Sequence, residues 1–440
     1  MRTCHLFVRF FVAYCSLAIL VSSCQKQDQL TGPNINSDVK LNNSQVAIDW
    51  YKLQLQFLLE RNSTMNGVYF GYMGIGLYEA VQPGIRNAKS LSGVLYQMPA
   101  MPSKEKNEGY NWELSANAAM AALLKSFNTG LTTANLATID SLENAYNNKL
   151  KPSSGTKFKR SQTFGRAVAA AVHAWSLTDN FNPSNAGYVY PVFDGGWVPT
   201  PPALVNPPVL PFLSTARPFV ASNLGALAAS PAFPYSSNPT SDFFKMHKEV
   251  YDVSQGLTQE QKDIALFWVD QGNNSGFTPP GHDLSLVIQA IEAAGSDLGT
   301  AAEALAKAGI AERDATIVCF ASKYTYNTMR PVTFIQSFID NTWLSFIPTP
   351  PHPEYPAAHA FISGSALKAA QQVLGVHEIM DHTYAFKGWG PRAYSSLFAA
   401  GEEAGISRLY GGIHCRKSIE VSLQHANDIG TTVGNLNFKQ

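Results

Sequence analysis

The chain has 440 residues, of which 45% are hydrophobic and 15% charged, and its 32 Lys and Arg residues balance 32 Asp and Glu residues. This composition is that of a globular protein with a sizeable core. A formal net charge of zero excludes a general electrostatic attraction to nucleic acid or to anionic membranes. An anion-binding site therefore requires a local concentration of cations.

The first 23 residues have the features of a secretory signal. Arg2 and Arg9 accompany an apolar run, 10–21, that is too short to span a bilayer. The run ends in small residues before Cys24, which resembles the lipobox of bacterial lipoproteins, where the chain is cut before the cysteine and the thiol is acylated. We therefore expect an exported protein, anchored in the bacterial cell envelope (periplasmic or cell-surface) by a lipid on Cys24, with residues 24–43 as a flexible tether. An ordinary signal peptide that happens to contain Cys24 is the alternative.

Most of the mature chain has the pattern of amphipathic or alanine-rich helices. The segment 182–239 differs, because it is rich in Pro, Gly, Ser and aromatic residues. We interpret it as a long irregular insertion packed over the helices, since its aromatic side chains would be costly to leave in water. The predicted fold is a single all-α helical-bundle domain over 44–440. Helices are predicted over 44–60, 114–127, 160–177, 258–269, 284–294, 300–308, 311–329, 359–373, 391–410 and 414–436.

Basic residues and histidines recur in the last third of the chain, within 319–425. Lys323 and Arg330 are seven residues apart, which on one helix places them two turns apart on the same face. Pro331 would end or kink that helix. The second segment, 352–359, contains prolines that break the chain, and we expect a helix to begin near His359. In the third segment, 407–414, a helix is expected to end at paired glycines. The three segments offer three cations, two histidines and a helix N-terminus, which suits a tetrahedral or trigonal oxyanion: Lys323, Arg330, His359, Arg408 and His414.

In combination, the three segments resemble the signature of the vanadium haloperoxidase and type-2 phosphatidic acid phosphatase superfamily: Lys-x6-Arg-Pro, Pro-Ser-Gly-His and Ser-Arg-x5-His. The upstream runs 74–81, 216–219 and 278–282 are similar to bacterial members of the haloperoxidase branch, so the resemblance covers most of the mature chain. Two departures stand out. Ala357 and Ala358 replace the Ser and Gly of the second motif, and Ser418 stands where an acidic residue commonly follows the last His by four positions.

The resemblance to haloperoxidases implies a vanadate cofactor, with hydrogen peroxide and a halide as substrates. Lys323, Arg330 and Arg408 are then expected to neutralise the vanadate oxygens, together with the backbone N–H of Ala358. His414 is the expected vanadium ligand.

The same resemblance assigns the two remaining histidines. His359 is expected to bond the opposite apical oxygen and to shuttle protons as peroxide binds. His352, seven residues earlier, occupies a position that holds Phe in chloride oxidisers and His in bromide oxidisers. Bromide or iodide is therefore the expected halide.

Other functions use the same residues. In an acid phosphatase of this superfamily no cofactor is needed: His414 would be the nucleophile, His359 the general acid, and a phosphate ester the substrate. A non-catalytic binding lipoprotein is a further alternative, and Ala357 and Ala358 leave open a member that binds an oxyanion but turns over poorly. No nucleic acid partner is expected, membrane attachment is expected only through the lipid anchor, and the resemblance leaves a homo-oligomer open.

Two other features are given structural interpretations. Cys319 and Cys415 are the thiols left after signal removal and acylation, and two cysteines in so long an exported chain do not make a disulfide framework. We expect both to be buried as small apolar residues, although the sequence does not show whether they pair. The run 377–382 has two histidines, but the second is one position too late for a zinc-binding HExxH helix. We interpret this run as a surface helix or turn.

Overall fold

A computed structural model of the chain describes residues 43–61, 69–128, 130–270 and 276–440. The predicted signal, Cys24 and almost all of the predicted tether lie outside the described residues. The described part contains thirteen α-helices and one two-stranded antiparallel sheet, which confirms the all-α prediction. The elements are α1 (Gln45–Arg61), α2 (Phe70–Val81), α3 (Trp112–Phe127), α4 (Thr133–Ser154), α5 (Lys157–Ser176), α6 (Asp242–Gln255), α7 (Gln259–Phe267), α8 (Pro279–Ala293), α9 (Leu298–Tyr326), α10 (Pro331–Phe338), α11 (Ala358–Leu374), β1 (Ile379–Asp381), β2 (Arg392–Tyr394), α12 (Leu397–Tyr410) and α13 (Arg416–Gly434).

Helix α9 lies at the centre of the bundle. It has 29 residues, and Asp297 caps it by accepting a hydrogen bond from the backbone N–H of Thr300. Most of its side chains are buried, and α2 and α11 pack along it. The sequence predicted two helices here, 300–308 and 311–329. The structure has one, because the packing of Gly309 compensates for the low helix propensity of glycine.

The crossing of α2 and α9 depends on two glycines. A Cβ atom on Gly309 would lie 2.8 Å from the backbone Cα and N atoms of Gly71, and a Cβ on Gly71 would lie 2.8 Å from the carbonyl oxygen of Gly309. Only residues without a Cβ allow the two backbones to come this close.

Several boundaries differ from the sequence predictions. Helix α9 ends at Tyr326, because the next residue, Asn327, has a left-handed backbone (φ 50°). Arg330 therefore does not share a helix face with Lys323, and that prediction is wrong. Helix α12 begins at Leu397 and not near 391, since residues 392–394 pair with β1. The helices α2, α4, α6 and α10 were not predicted. Of these, α4 has few buried residues, so its hydrophobic pattern is weak, and α10 has only eight residues, so its pattern is short.

The segment between α5 and α6 contains only two short 3-10 turns, as the irregular-insertion interpretation requires. Hydrogen bonds attach this segment to α9 and to the residue that follows it. The backbone N–H groups of Phe219 and Val220 donate to the Asp314 carboxylate at 2.7 and 2.9 Å, and Trp197 N donates to the Asn327 carbonyl at 2.7 Å. Trp197 and Phe219 are fully buried. Among the described residues, no helix combines the length and apolar character needed to cross a membrane.

The glycine crossing can be tested by substitution. Gly309→Ala is expected to lower the free energy of unfolding by about 1–3 kcal/mol, because the added methyl group forces α2 and α9 apart. Urea unfolding followed by circular dichroism measures the change. Gly390→Ala is the matched control, since a Cβ there meets no atom within 4 Å. Equal stability of the two variants would contradict close packing at this crossing.

Candidate active site

The loop before α11 wraps around Lys323. The Lys323 side chain is fully buried, and its Nζ donates to the main-chain carbonyls of Pro353, Glu354 and Pro356, at 2.9 Å and 3.0 Å for the first two. These bonds use all three ammonium protons. Burial lowers the pKa of Lys323. Lys323 therefore holds the loop in place and contributes positive charge from behind it.

Arg330 joins the second and third motif segments. It is the N-cap residue of α10 and is fully buried. Its Nε donates to the His352 carbonyl at 2.8 Å, Nη1 donates to the Ile413 carbonyl at 2.9 Å, and Nη1 also lies 3.2 Å from Nε2 of His414. Burial lowers the pKa of Arg330 to about 10. The guanidinium thus fixes both histidine-bearing segments around itself.

His414 is oriented by a carboxylate that the sequence analysis did not identify. Its Nδ1 lies 3.0 Å from Oε1 of Glu354, which also accepts from the backbone N–H of Cys415, and Oε2 accepts from the Ser418 hydroxyl at 2.9 Å. Burial raises the pKa of Glu354. Nη1 of Arg330 can only donate to Nε2 of His414, so Nδ1 carries the proton of the His414 ring. Burial, then the charges of Arg330 and Lys323, keeps the pKa of His414 well below its usual value. Nε2 of a neutral ring is therefore left with its lone pair.

The N-terminus of α11 has no side-chain cap. Its N-cap residue, Ala357, is fully buried among apolar side chains, and the backbone N–H of Ala357 donates to Ser422 Oγ at 2.9 Å. The N–H groups of 358–360 have no acceptor within the helix, and no described residue accepts from them. An uncapped helix start with open N–H groups favours an anion.

His359, in the first turn of α11, faces a carboxylate. Its Nε2 lies 3.5 Å from Oδ2 of Asp270, and neither atom makes a well-oriented hydrogen bond with any described residue. Burial, then the positive charge of Arg408, lowers the pKa of His359 to about 4. At neutral pH the ring is therefore uncharged and able to accept a proton.

Asp270 belongs to a buried charge network. Its Oδ1 accepts from His282 Nδ1 at 3.0 Å and from the Tyr384 hydroxyl at 2.5 Å, and His282 Nε2 donates to Asp381 Oδ2 at 2.8 Å. Burial alone would lower the pKa of His282, but Asp270 and Asp381 raise it to about 10. Burial alone would raise the pKa of Asp270, but the His282 imidazolium lowers it below its usual value. The network keeps the partner of His359 negatively charged.

Arg408 is the third cation of the motif segments. It lies in the last turn of α12, where Nε donates to Ser407 Oγ at 2.9 Å and Nη2 donates to the Trp268 carbonyl. No described residue accepts from its Nη1. The Trp268 ring stacks on His282 with centroids 4.1 Å apart. Trp268 therefore contacts Arg408 through its carbonyl and the charge network through its ring.

The predicted site residues converge on one region of the fold. A single cavity is lined by five of them, whereas Lys323 and Arg330 lie behind its wall and hold the loop and the histidines. Three buried cations, an uncapped helix N-terminus and a neutral imidazole whose Nε2 has a lone pair fit an oxyanion whose metal accepts a nitrogen ligand. The donor set therefore fits vanadate. The five residues that line the cavity are His352, Ala358, His359, Arg408 and His414.

Comparisons with known proteins identify the family. Residues 303–439 match the family model described as the VCPO second helical-bundle domain. The solved structure described as the first bacterial vanadium-dependent iodoperoxidase is 30% identical and has a TM-score of 0.81, over 90% of this chain and 98% of that one. The holo and apo forms of a bacterial vanadium-dependent chloroperoxidase, each 15% identical over 84% of this chain and 90% and 92% of theirs, share the fold with TM-scores of 0.60 and 0.61. A search of curated protein sequences finds no match.

The chain therefore belongs to the vanadium-dependent haloperoxidase family, which is a family of oxidoreductases. The resemblance drawn from the motifs is confirmed, and so is the enzyme class.

Sequence reasoning missed several residues of the site. Glu354 stands inside the second motif segment but has no fixed spacing to His414, and Asp270 and Asp381 reach the site only through the tertiary fold. The run 377–382, interpreted as a surface helix or turn, instead contains strand β1, whose Asp381 is fully buried. Cys319 and Cys415 are buried, as expected, and they do not form a disulfide with each other.

The role of Glu354 predicts a specific effect of its substitution. Glu354→Gln is expected to weaken vanadate binding by about 10-fold or more, because the Nδ1 proton of His414 loses its charged partner. Isothermal titration of the purified protein with orthovanadate measures the affinity. Glu249→Gln, the same change on a partly exposed carboxylate paired with Arg416, is the control. Unchanged vanadate affinity in Glu354→Gln would show that the carboxylate does not orient the ligand.

Proposed function

We propose that the protein is a vanadium-dependent haloperoxidase that oxidises iodide or bromide with hydrogen peroxide. The observation that carries the proposal is the neutral His414 ring beside a cavity. It is held through Nδ1 by Glu354, and its Nε2 has a lone pair that accepts from Nη1 of Arg330 at 3.2 Å. Arg408, His359 and the open N–H groups of α11 border the same cavity. The similarity to an iodoperoxidase over nearly the whole of both chains supports the same function.

In this proposal, vanadate when bound supplies a Lewis-acidic centre that activates hydrogen peroxide toward a halide. His414 Nε2 would be the ligand, and Arg408 and the N–H of Ala358 would donate to the oxyanion. Lys323 and Arg330 provide positive charge through the loop and histidines that they hold. Ala357 offers no hydroxyl in place of the usual Ser, a loss of about 1–3 kcal/mol of anion affinity where no other donor replaces it.

His359 is the proposed general base and general acid in this reaction. A neutral imidazole beside the carboxylate of Asp270 takes a proton from incoming hydrogen peroxide and returns it to the oxygen that leaves as water. Asp270 stabilises the imidazolium while the proton resides there, and the His282 network keeps Asp270 ionised. The histidine thus cycles between its two protonation states during each turnover.

His352 supports the choice of halide. The imidazole lines the cavity, its Nδ1 lies 3.0 Å from Nη2 of Arg330, and the ring packs on Phe320 with centroids 5.4 Å apart. A histidine at this position is expected in oxidisers of bromide, and iodide is easier to oxidise than bromide. Iodide and bromide are therefore proposed as substrates, and chloride is not.

The activity can be tested on the purified mature chain, stripped of metal and then given orthovanadate. We expect hydrogen peroxide to oxidise iodide to triiodide only after vanadate is added, and His414→Ala to abolish both vanadate binding and oxidation. His377→Ala, which changes an exposed histidine, is the control. Triiodide absorbance gives the rate, and circular dichroism checks the fold.

The same preparation separates the alternatives. Hydrolysis of a phosphate ester that vanadate inhibits, without halide oxidation, would assign a phosphatase. Vanadate binding with neither activity would assign a binding protein and point to Ala357 and Ala358.

We also propose that the enzyme is an exported lipoprotein, on the basis of the small-residue sequence that precedes Cys24. Expressed in a bacterium, the wild-type chain is expected in the membrane fraction, and Cys24→Ser is expected to remove the lipid and release the chain to the soluble fraction. Metabolic labelling with a fatty-acid analogue measures the acylation. Equal labelling of both proteins would contradict an anchor at Cys24.

A further inference from the structure

A second, much smaller cavity lies within the helical bundle and shares no lining residue with the cavity at the candidate active site. Residues of α1, α2, α8, α9 and α11 line it, and its volume is about 10 Å³. This is about the smallest volume that holds one water molecule. The cavity therefore has room for a single small occupant and no room for a hydration shell around it.

Helix α9 brings a carboxyl group to this cavity on a face that is otherwise apolar. The α9 residues that line the cavity are Leu305, Ala308, Gly309 and Glu312, a spacing that places them on one face of a helix. Glu312 is only 4% exposed. Burial of a carboxylate in such surroundings costs free energy unless a partner replaces the water that it has lost.

Two more polar groups line the same cavity from other helices. Asp283 of α8 and Tyr51 of α1 are each 1% exposed. Neither carboxylate oxygen of Asp283 makes a well-oriented hydrogen bond with a described residue, and neither does the Tyr51 hydroxyl. Buried polar atoms are nearly always satisfied, so three orphaned oxygen atoms around one small cavity indicate a bound ligand.

The two carboxyl groups also have no cation to balance them. Among the ion pairs of the described residues, none includes Asp283 or Glu312. The positive charge of His282 acts on Asp283, but that imidazolium is already held between Asp270 and Asp381. Burial raises the pKa of Asp283, and burial and then the charge of Asp283 raise the pKa of Glu312. The pair therefore needs protons or a cation to remain in the core.

We propose that Asp283 and Glu312 bind a calcium ion in this cavity, together with the hydroxyl oxygens of Tyr51 and Ser363. Ser363 of α11 is buried next to Asp283, and its hydroxyl makes no well-oriented hydrogen bond with a described residue. Two carboxylates and two hydroxyls offer six oxygen atoms, and calcium takes about six to eight oxygen ligands. The two carboxylates also balance the double charge of the ion.

The size and chemistry of the cavity exclude other common metal ions. Magnesium gives up its water reluctantly and usually keeps several water ligands, for which a cavity of about 10 Å³ has no room. The zinc and copper ions prefer nitrogen and sulfur ligands, whereas the polar groups that line this cavity are a phenol and two carboxyls. A calcium ion here would connect α1, α8 and α9, so its role is structural and does not depend on the proposed halide oxidation.

Thermal unfolding of the vanadate-free protein, dialysed against EGTA, tests the proposal. An ion that binds only the folded chain stabilises it. Calcium chloride at about 100 times its dissociation constant is therefore expected to raise the unfolding temperature by about 3 °C at constant ionic strength. Magnesium chloride at the same concentration is expected to have little effect.

Asp283→Asn is the diagnostic variant. It is expected to fold without calcium, because it removes a buried charge, and to lose the rise in unfolding temperature that calcium causes. Asp263→Asn is the matched control, since it makes the same change on an exposed side chain of α7 and is expected to keep that rise. No rise in the wild type would mean that protons alone neutralise the pair, and an equal rise in Asp283→Asn would mean that calcium binds elsewhere. Either result overturns the proposal.

Proton release gives a second test that does not depend on a variant. Ligand oxygens must lose their protons before they bind a metal ion, so each calcium ion is expected to displace about one proton or more from the carboxyl pair near neutral pH. Isothermal titration in two buffers of different ionisation enthalpy measures the number released. Calcium binding that releases no proton would exclude this buried pair as its ligand.

Discussion

The site depends on one buried ion–dipole contact, between the carboxylate of Glu354 and the Nδ1–H of His414. Since the carboxylate accepts and does not donate, it selects the ring tautomer in which Nε2 has the lone pair. Lys323 donates to the main-chain carbonyls on both sides of Glu354 and to that of Glu354 itself, so the loop cannot move the carboxylate away. Arg330 holds the segments of His352 and His414 in the same way, by donating to the main-chain carbonyls of His352 and Ile413. Lys323 and Arg330 therefore mainly hold the surrounding backbone in place. Of the three motif cations, only Arg408 directly borders the cavity.

The acid–base side of the site is organised by a separate set of charges. Asp270 faces His359 and is kept ionised by an imidazolium, His282, which is itself held by Asp381. This arrangement places the negative charge where it would stabilise a protonated His359. The two halves of the proposed site are thus supported by different elements. The loop before α11 supports the proposed vanadium ligand, and α8 with β1 supports the proposed proton-transfer group.

Much of this was predictable from sequence because the motif residues have fixed spacing within short segments. Lys323, Arg330, His359, Arg408 and His414 were identified in that way, as was the start of α11. The all-α class followed from alanine-rich and amphipathic patterns. Residues that reach the site across long sequence separations were not predictable: Glu354 and Ser418 are 64 residues apart, and His282 and Asp381 are 99 apart.

The departures from the motif acquire a physical explanation in the fold. Ser418 occupies the position where an acid was expected, and its hydroxyl donates to Glu354, so the carboxylate is supplied from the loop instead of from α13. Ala357 packs its methyl group among apolar side chains, so the N-terminus of α11 is bounded by backbone alone. The error over Arg330 has a similar origin: a left-handed residue at Asn327 ends α9 before the arginine, a conformation that a helical pattern does not reveal.

The measurement that tests this account most directly is a crystal structure of the protein with bound vanadate. The account predicts vanadium bonded to Nε2 of His414, with Nδ1 still bonded to Glu354 and with Nη1 of Arg408 and the first N–H groups of α11 donating to the vanadate oxygens. Vanadium bonded through Nδ1, or vanadate bound away from α11 and Arg408, would contradict it.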